Sequence, residues 1–200
     1  MSFRFFGVYF EITVPFCLVL VFTLLMDRTG LMSYMLLAVL LHEGGHLLAM
    51  ARYAALPKAV RLRAGRVAIE KSGRLLGVKE ELGIAAAGPL ANLLGAGAGL
   101  LFYTASGLIE AALFGAVHML FALFNLLPVT GLDGGTVCFL LFMGKWGEER
   151  ARFLSRLLSW CFAAAILLTG VLLVLRGNPS LLFAGSYLLV LQALKGWKEI

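Results

Sequence analysis

The chain has 200 residues, 61% of them hydrophobic and 14% charged, with a mean hydropathy of +0.94. Soluble domains carry far more charge, so the composition excludes an ordinary soluble protein and points to an integral membrane one. The net charge of +6 would suit a nucleic-acid binder, but positive charge in a membrane protein collects in cytoplasmic loops, and no nucleic acid is expected as a partner.

Six apolar segments are long enough to cross a bilayer of about 30 Å at 1.5 Å per residue: 8–26, 31–50, 82–103, 108–143 with an interruption, 154–175 and 181–194. The expected fold class is an all-α polytopic membrane protein of six transmembrane helices, a single membrane-embedded domain over 1–200. The first segment follows Arg4 and resembles a signal peptide, but no A-x-A-like site ends it, so it reads as a retained first span. Cys17, Cys138 and Cys161 lie in or beside apolar runs and read as packing residues, not as a disulfide framework.

The second segment contains His42-Glu43-Gly44-Gly45-His46. On a helix, His42 and His46 are one turn apart on one face, the spacing that puts two ring nitrogens on one metal ion. Glu43 lies about 100° around the helix, within reach of a water on that ion without being a ligand. This is the H-E-x-x-H pattern of zinc hydrolases. Polar groups inside a membrane segment are costly and mark function by default.

The loop 52–79 holds eight of the 17 Lys and Arg. Within it, Val60-Arg61-Leu62-Arg63 and Arg66-Val67-Ala68-Ile69 alternate apolar and basic around Ala64-Gly65, the pattern of a short hairpin lying on the membrane surface. The third segment opens with Gly88-Pro89-Leu90-Ala91-Asn92 and continues with small residues at 91, 95 and 99, a stripe that lets another helix approach closely. The buried amide of Asn92 must be satisfied there, by the site or by a neighbouring helix.

The fourth segment is interrupted at Asn125-Leu126-Leu127-Pro128-Val129-Thr130-Gly131-Leu132-Asp133-Gly134-Gly135. Pro128 and the three glycines break a helix, and broken backbone at membrane depth belongs in protein or along a cavity. Asp133 is one of two aspartates in the chain. Counting from the cytoplasmic ends, His46, His42 and Asp133 come out about 6, 12 and 15 Å deep, all in the cytoplasmic half. Two histidines and a carboxylate, with a position left for water, form a catalytic rather than a closed zinc set. His118, in the outer half of the fourth segment, stays outside this set. Apart from Arg156 at the start of the fifth, the last two segments have no charged residue and read as scaffold. Fifteen Lys and Arg fall on one side of a six-span arrangement and two on the other, which puts both termini and the active-site side in the cytoplasm.

Together, His42-Glu43-Gly44-Gly45-His46, Gly88-Pro89-Leu90-Ala91-Asn92 and the stretch from Asn125-Leu126-Leu127-Pro128 to Leu132-Asp133-Gly134-Gly135 resemble the site-2 protease family of intramembrane metalloproteases. The six-span layout is most similar to the branch of the sporulation factor that cleaves a membrane-tethered pro-sigma factor. The resemblance implies one zinc ion on His42, His46 and Asp133, with Glu43 as the catalytic base. It also implies that Asn125 helps position the substrate or polarises the scissile carbonyl, and that the basic segment after the second span is the family's membrane-associated hairpin; Asn92 is expected with Asn125 among the substrate-binding residues. No PDZ or CBS domain is expected. The expected function is hydrolysis of a peptide bond in or beside a transmembrane segment of a membrane-tethered protein. The expected partners are a substrate helix, the lipid bilayer and regulatory membrane proteins. A metal or ion transporter using the same His/His/Asp set is the rival, disfavoured because only one broken helix and no internal repeat are visible.

Overall fold

The computed structural model describes residues 2–5, 7–63, 66–70 and 73–174. The chain is mainly helical, with a small sheet, and divides into two compact units, residues 1–121 and 122–200.

The first unit begins with two strands, β1 (Ser2–Phe5) and β2 (Val8–Ile12). Helices α1 (Val14–Met26) and α2 (Leu31–Arg52) follow, then strands β3 (Ala59–Arg63) and β4 (Arg66–Glu70). Helix α3 (Val78–Ser106) and most of α4 (Ile109–Asn125) complete it. The sheet order is β1-β2-β3-β4, with antiparallel outer pairs and a parallel β2–β3 pair in the register Tyr9↔Ala59 to Ile12↔Leu62. Among the described side chains of the sheet, Val8, Ala59 and Val60 are buried. Opposite one another across the parallel pair, Glu11 and Arg61 form an ion pair of 3.2 Å that is half-exposed and contributes little.

Two expectations are corrected here. The run read as a first span from residue 8 is a strand up to Ile12, and α1 proper has 13 residues. That is about 20 Å of helix, short of a full bilayer core. The aromatic and β-branched residues of Val8-Tyr9-Phe10-Glu11-Ile12 find a strand partner in β3, about fifty residues on, and sheet pairing wins over apolar continuity. The expected two-stranded hairpin is also incomplete: β3 and β4 do pair antiparallel between α2 and α3, but as half of a four-stranded sheet. Its turn, residues 64–65, lies outside the described residues, as does the expected sixth span, 181–194.

Among the described residues, three helices are long and apolar enough to cross a membrane: α2, α3 and α6 (Glu148–Val174). Helices α1 and α4 are apolar but shorter. The expected fourth span is two helices, α4 and α5 (Asp133–Trp146), with a bend between them. In the second unit α5 packs on α6, and Val129, Leu132 and Ala163 form a buried cluster with Phe124, Leu127 and Ile166 against it.

Candidate functional site

In the first unit the site is built on the seam between α2 and α3. Two glycines let the helices touch. A Cβ on Gly45 would stand 2.6 Å from the Ala87 carbonyl oxygen and 2.8 Å from the Ala91 Cβ. A Cβ on Gly88 would run into His46 Nε2 and stand 2.8 Å from His42 Nε2. The backbone of α3 at Gly88 is therefore the floor on which both imidazoles rest.

The histidine rings are held by polar contacts with α3 and with each other. The Ile84 carbonyl can only accept, so His46 donates to it from Nδ1 at 2.8 Å. His46 Nε2 lies 3.2 Å from His42 Nε2. The Asn92 side-chain amide lies 3.2 Å from His42 Nδ1. Asn92 is fully buried and His42 nearly so. Phe121 packs edge-on against the His42 ring at 5.2 Å. Asn92, expected beside the substrate, thus has its amide on His42. Glu43, one residue along α2, is exposed.

The chemistry of this pair fits a divalent ion such as zinc. Two imidazole nitrogens bound to one tetrahedral zinc at 2.0–2.1 Å stand about 3.4 Å apart, and the Nε2 atoms here are 3.2 Å apart. His118 is elsewhere. It is buried, its Nδ1 donates to the Phe114 carbonyl at 3.0 Å, and its ring covers Gly95.

In the second unit α4 ends at Asn125, which is half-buried. The chain then folds back through Pro128 and Gly131, whose φ of +109° suits glycine, and α5 starts with Asp133 in its first turn. A carboxylate there is favoured by the positive end of the helix dipole. Gly134 and Gly135 sit directly against the carbonyls of Leu126 and Val129, where no Cβ fits. Ser159 of α6, in a segment read as scaffold, ties the bend down. Its Oγ accepts from the Thr130 N–H at 2.8 Å, lies 2.9 Å from Thr130 Oγ1, and donates to the Pro128 carbonyl at 3.2 Å. Nothing in the apolar pattern of α6 singled out this serine.

No protein-family model matches the chain, and no curated protein does. Among solved structures it is similar to the site-2 protease from Methanocaldococcus jannaschii, with a TM-score of 0.61 over 94% of this chain and 92% of that one, at 20% identity. The chain has the site-2 protease fold. On that fold, this sequence places a histidine pair on one long helix and a carboxylate at the head of a later one.

Proposed function

We propose that the chain is an intramembrane zinc metalloprotease that cuts a peptide bond within or next to a transmembrane segment of a membrane-tethered protein. The observation that carries this is the pair of His42 and His46 Nε2 atoms, 3.2 Å apart over the Gly88 backbone, within an H-E-x-x-H sequence on a site-2 protease fold. By their motifs, His42, His46 and Asp133 are the residues that would hold the ion, with two imidazole nitrogens and a carboxylate oxygen. A bound zinc ion supplies Lewis acidity toward water and the scissile carbonyl.

Glu43 takes the proton of the attacking water and passes it to the leaving amine nitrogen. Its exposed place on α2 leaves the carboxylate open to both. Asn125, where α4 gives way to the bend, aligns the substrate backbone with its amide. A substrate helix hides its carbonyls in its own hydrogen bonds, so it must unwind locally before attack. The sheet offers strand edges that can hold an unwound segment by backbone pairing. The fifteen-to-two distribution of Lys and Arg supports a multi-pass protein with the site toward the cytoplasm.

The test uses purified protein in detergent with a tagged single-span substrate and product mass as readout. Glu43→Gln should keep about one zinc per chain and lose roughly 10²–10⁴ in rate, because glutamine hydrogen-bonds to water but cannot take its proton. Equal cleavage by wild type and variant sinks the reading. So does the absence of cleavage by either while metal crosses protein-containing vesicles.

A further inference from the structure

We propose that the cavity between α5 and α6, within the second unit, binds a phosphate group, carried by an anionic phospholipid or by a soluble phosphate ester. The inference does not depend on the histidine pair.

The cavity has a volume of about 320 Å³, toward the small end for ligand sites. Helix α6 contributes Arg152, Ser155 and Arg156, the bend contributes Thr130, and α5 contributes Thr136 and Phe139. The lining thus holds two guanidinium groups, and none of its residues is acidic. Arg152 pairs with Glu148 one turn back on α6. That pairing uses only part of a guanidinium's fork of donors.

Two arginines at the end of a span are ordinary. Ser155 is what distinguishes this cavity. Of the three hydroxyls in the lining, two are engaged. Thr130 Oγ1 lies 2.9 Å from Ser159 Oγ, and Thr136 Oγ1 donates to the Leu132 carbonyl at 3.4 Å. Ser155 is 8% exposed, and its buried Oγ has no hydrogen-bond partner among the described residues. A helical hydroxyl commonly bonds to the carbonyl one turn back, as Thr136 and Thr169 do here. A buried polar group left unpaired is costly. An oxygen of a bound ligand supplies the missing partner.

The chemistry of the lining favours phosphate over carboxylate. A planar carboxylate is satisfied by one guanidinium fork. A phosphate presents its oxygens tetrahedrally, and the lining groups approach from α6, from the bend and from α5. Phe139 gives an apolar wall for the carbon skeleton of an ester. Arg156 is the last charged residue before the uncharged run 157–174. The cavity therefore lies where a span meets the headgroup layer, and basic pockets between helices take lipid phosphates there. A phosphate seated in it joins α6 to the first turn of α5, the turn that starts with Asp133.

Thermal unfolding of the delipidated full chain in an uncharged detergent provides the test, because a ligand that binds only the folded state raises the midpoint. Phosphatidylglycerol should raise it saturably, and diacylglycerol, which has the chains without the phosphate, should not. Sodium phosphate and glycerol 3-phosphate at constant ionic strength form the soluble arm. A response there as well means that the phosphate group alone suffices, and a response to phosphatidylglycerol alone assigns the site to lipid. Ser155→Ala should melt near wild type without ligand and bind roughly tenfold more weakly. Arg156→Gln should bind roughly 10–100-fold more weakly. Arg150→Gln is the control: it removes the same charge about 200° around α6 from Arg152 and should bind like wild type. If Arg156→Gln does not fold, Ser155→Ala and Arg150→Gln still decide. Unchanged affinity in Ser155→Ala, equal losses in Ser155→Ala and Arg150→Gln, an equal response to diacylglycerol, or no saturable response to any phosphate probe overturns the proposal.

Discussion

Gly88 in the α2–α3 seam and the glycines of the bend between α4 and α5 are both needed, but for opposite reasons. In the seam, Gly88 makes room for side chains: the absent Cβ is where two imidazole nitrogens lie. In the bend, Gly134 and Gly135 make room for backbone: the absent Cβ atoms are where the carbonyls of Leu126 and Val129 lie. Imidazoles on a helix can swing away from an intruding methyl at the cost of their geometry, whereas a carbonyl in a tight bend cannot move without undoing the bend. Gly88 is thus a position where function fails before stability, and the bend a place where stability fails first.

That contrast can be broken by two alanines. Gly88→Ala should abolish measurable zinc binding while the protein still folds, because the imidazoles yield. Gly134→Ala should lower stability, despite alanine's helix-propensity gain of about 1 kcal/mol over glycine. Overpacking typically costs 1–3 kcal/mol even where neighbours can shift, and here the neighbour is backbone. Gly44→Ala is the control, since nothing among the described residues lies within 4 Å of its Cβ position. It should be neutral or slightly stabilising. Zinc analysis together with thermal unfolding in detergent reads all three. Equal zinc loss and equal destabilisation in Gly88→Ala and Gly134→Ala would erase the distinction.

What could be read in the residues follows from the range of the forces involved. The i, i+4 spacing of His42 and His46 is local, so the pair was legible, and so was a helix break at Pro128 and Gly131. The alternating residues of β3 and β4 announced a local antiparallel pair. β2 was not legible, because Val8–Ile12 is as apolar as a span and its partner in β3 lies some fifty residues away. Gly44 and Gly45 are neighbours in one motif, yet only Gly45 faces α3; which glycine touches depends on helix packing, not on order. Ser159 was missed because a single hydroxyl in an apolar helix carries no periodic signal, and the contact of Asn92 with His42 rests on a pairing fifty residues apart.

Ser159 offers a smaller, sharper test of the bend. Ser159→Ala removes the acceptor of the Thr130 N–H and the donor to the Pro128 carbonyl. Stranding a buried group of this kind costs about 1–3 kcal/mol. Ser155→Ala, one turn earlier on α6, should cost little, because the buried Ser155 Oγ has no hydrogen-bond partner among the described residues. Denaturant unfolding of the two variants checks the difference. Matching losses would mean that the hydroxyl bonds do not hold the bend.

The smallest expected effect lies at the start of α2. Asp27 Oδ2 accepts from the Met32 N–H at 2.7 Å, and Oδ1 accepts from the Thr29 hydroxyl at 2.8 Å and the Thr29 N–H at 3.1 Å. Desolvation pushes the carboxyl up, but these hydrogen bonds, the Thr29 side chain's foremost, outweigh it and hold the pKa below its ordinary value of 3.8. A group whose folded pKa is depressed stabilises the fold above its unfolded value and loses that contribution as pH falls through the folded one. Asp27→Asn should therefore melt slightly below wild type at neutral pH, and the gap should close as pH falls below the ordinary carboxylate range. Asp27 lies outside the seam, so zinc affinity should be unchanged in the variant. If Asp27→Asn weakened zinc binding, the histidine geometry would depend on how α2 begins as well as on the glycines it crosses, and the seam could no longer be treated as self-sufficient.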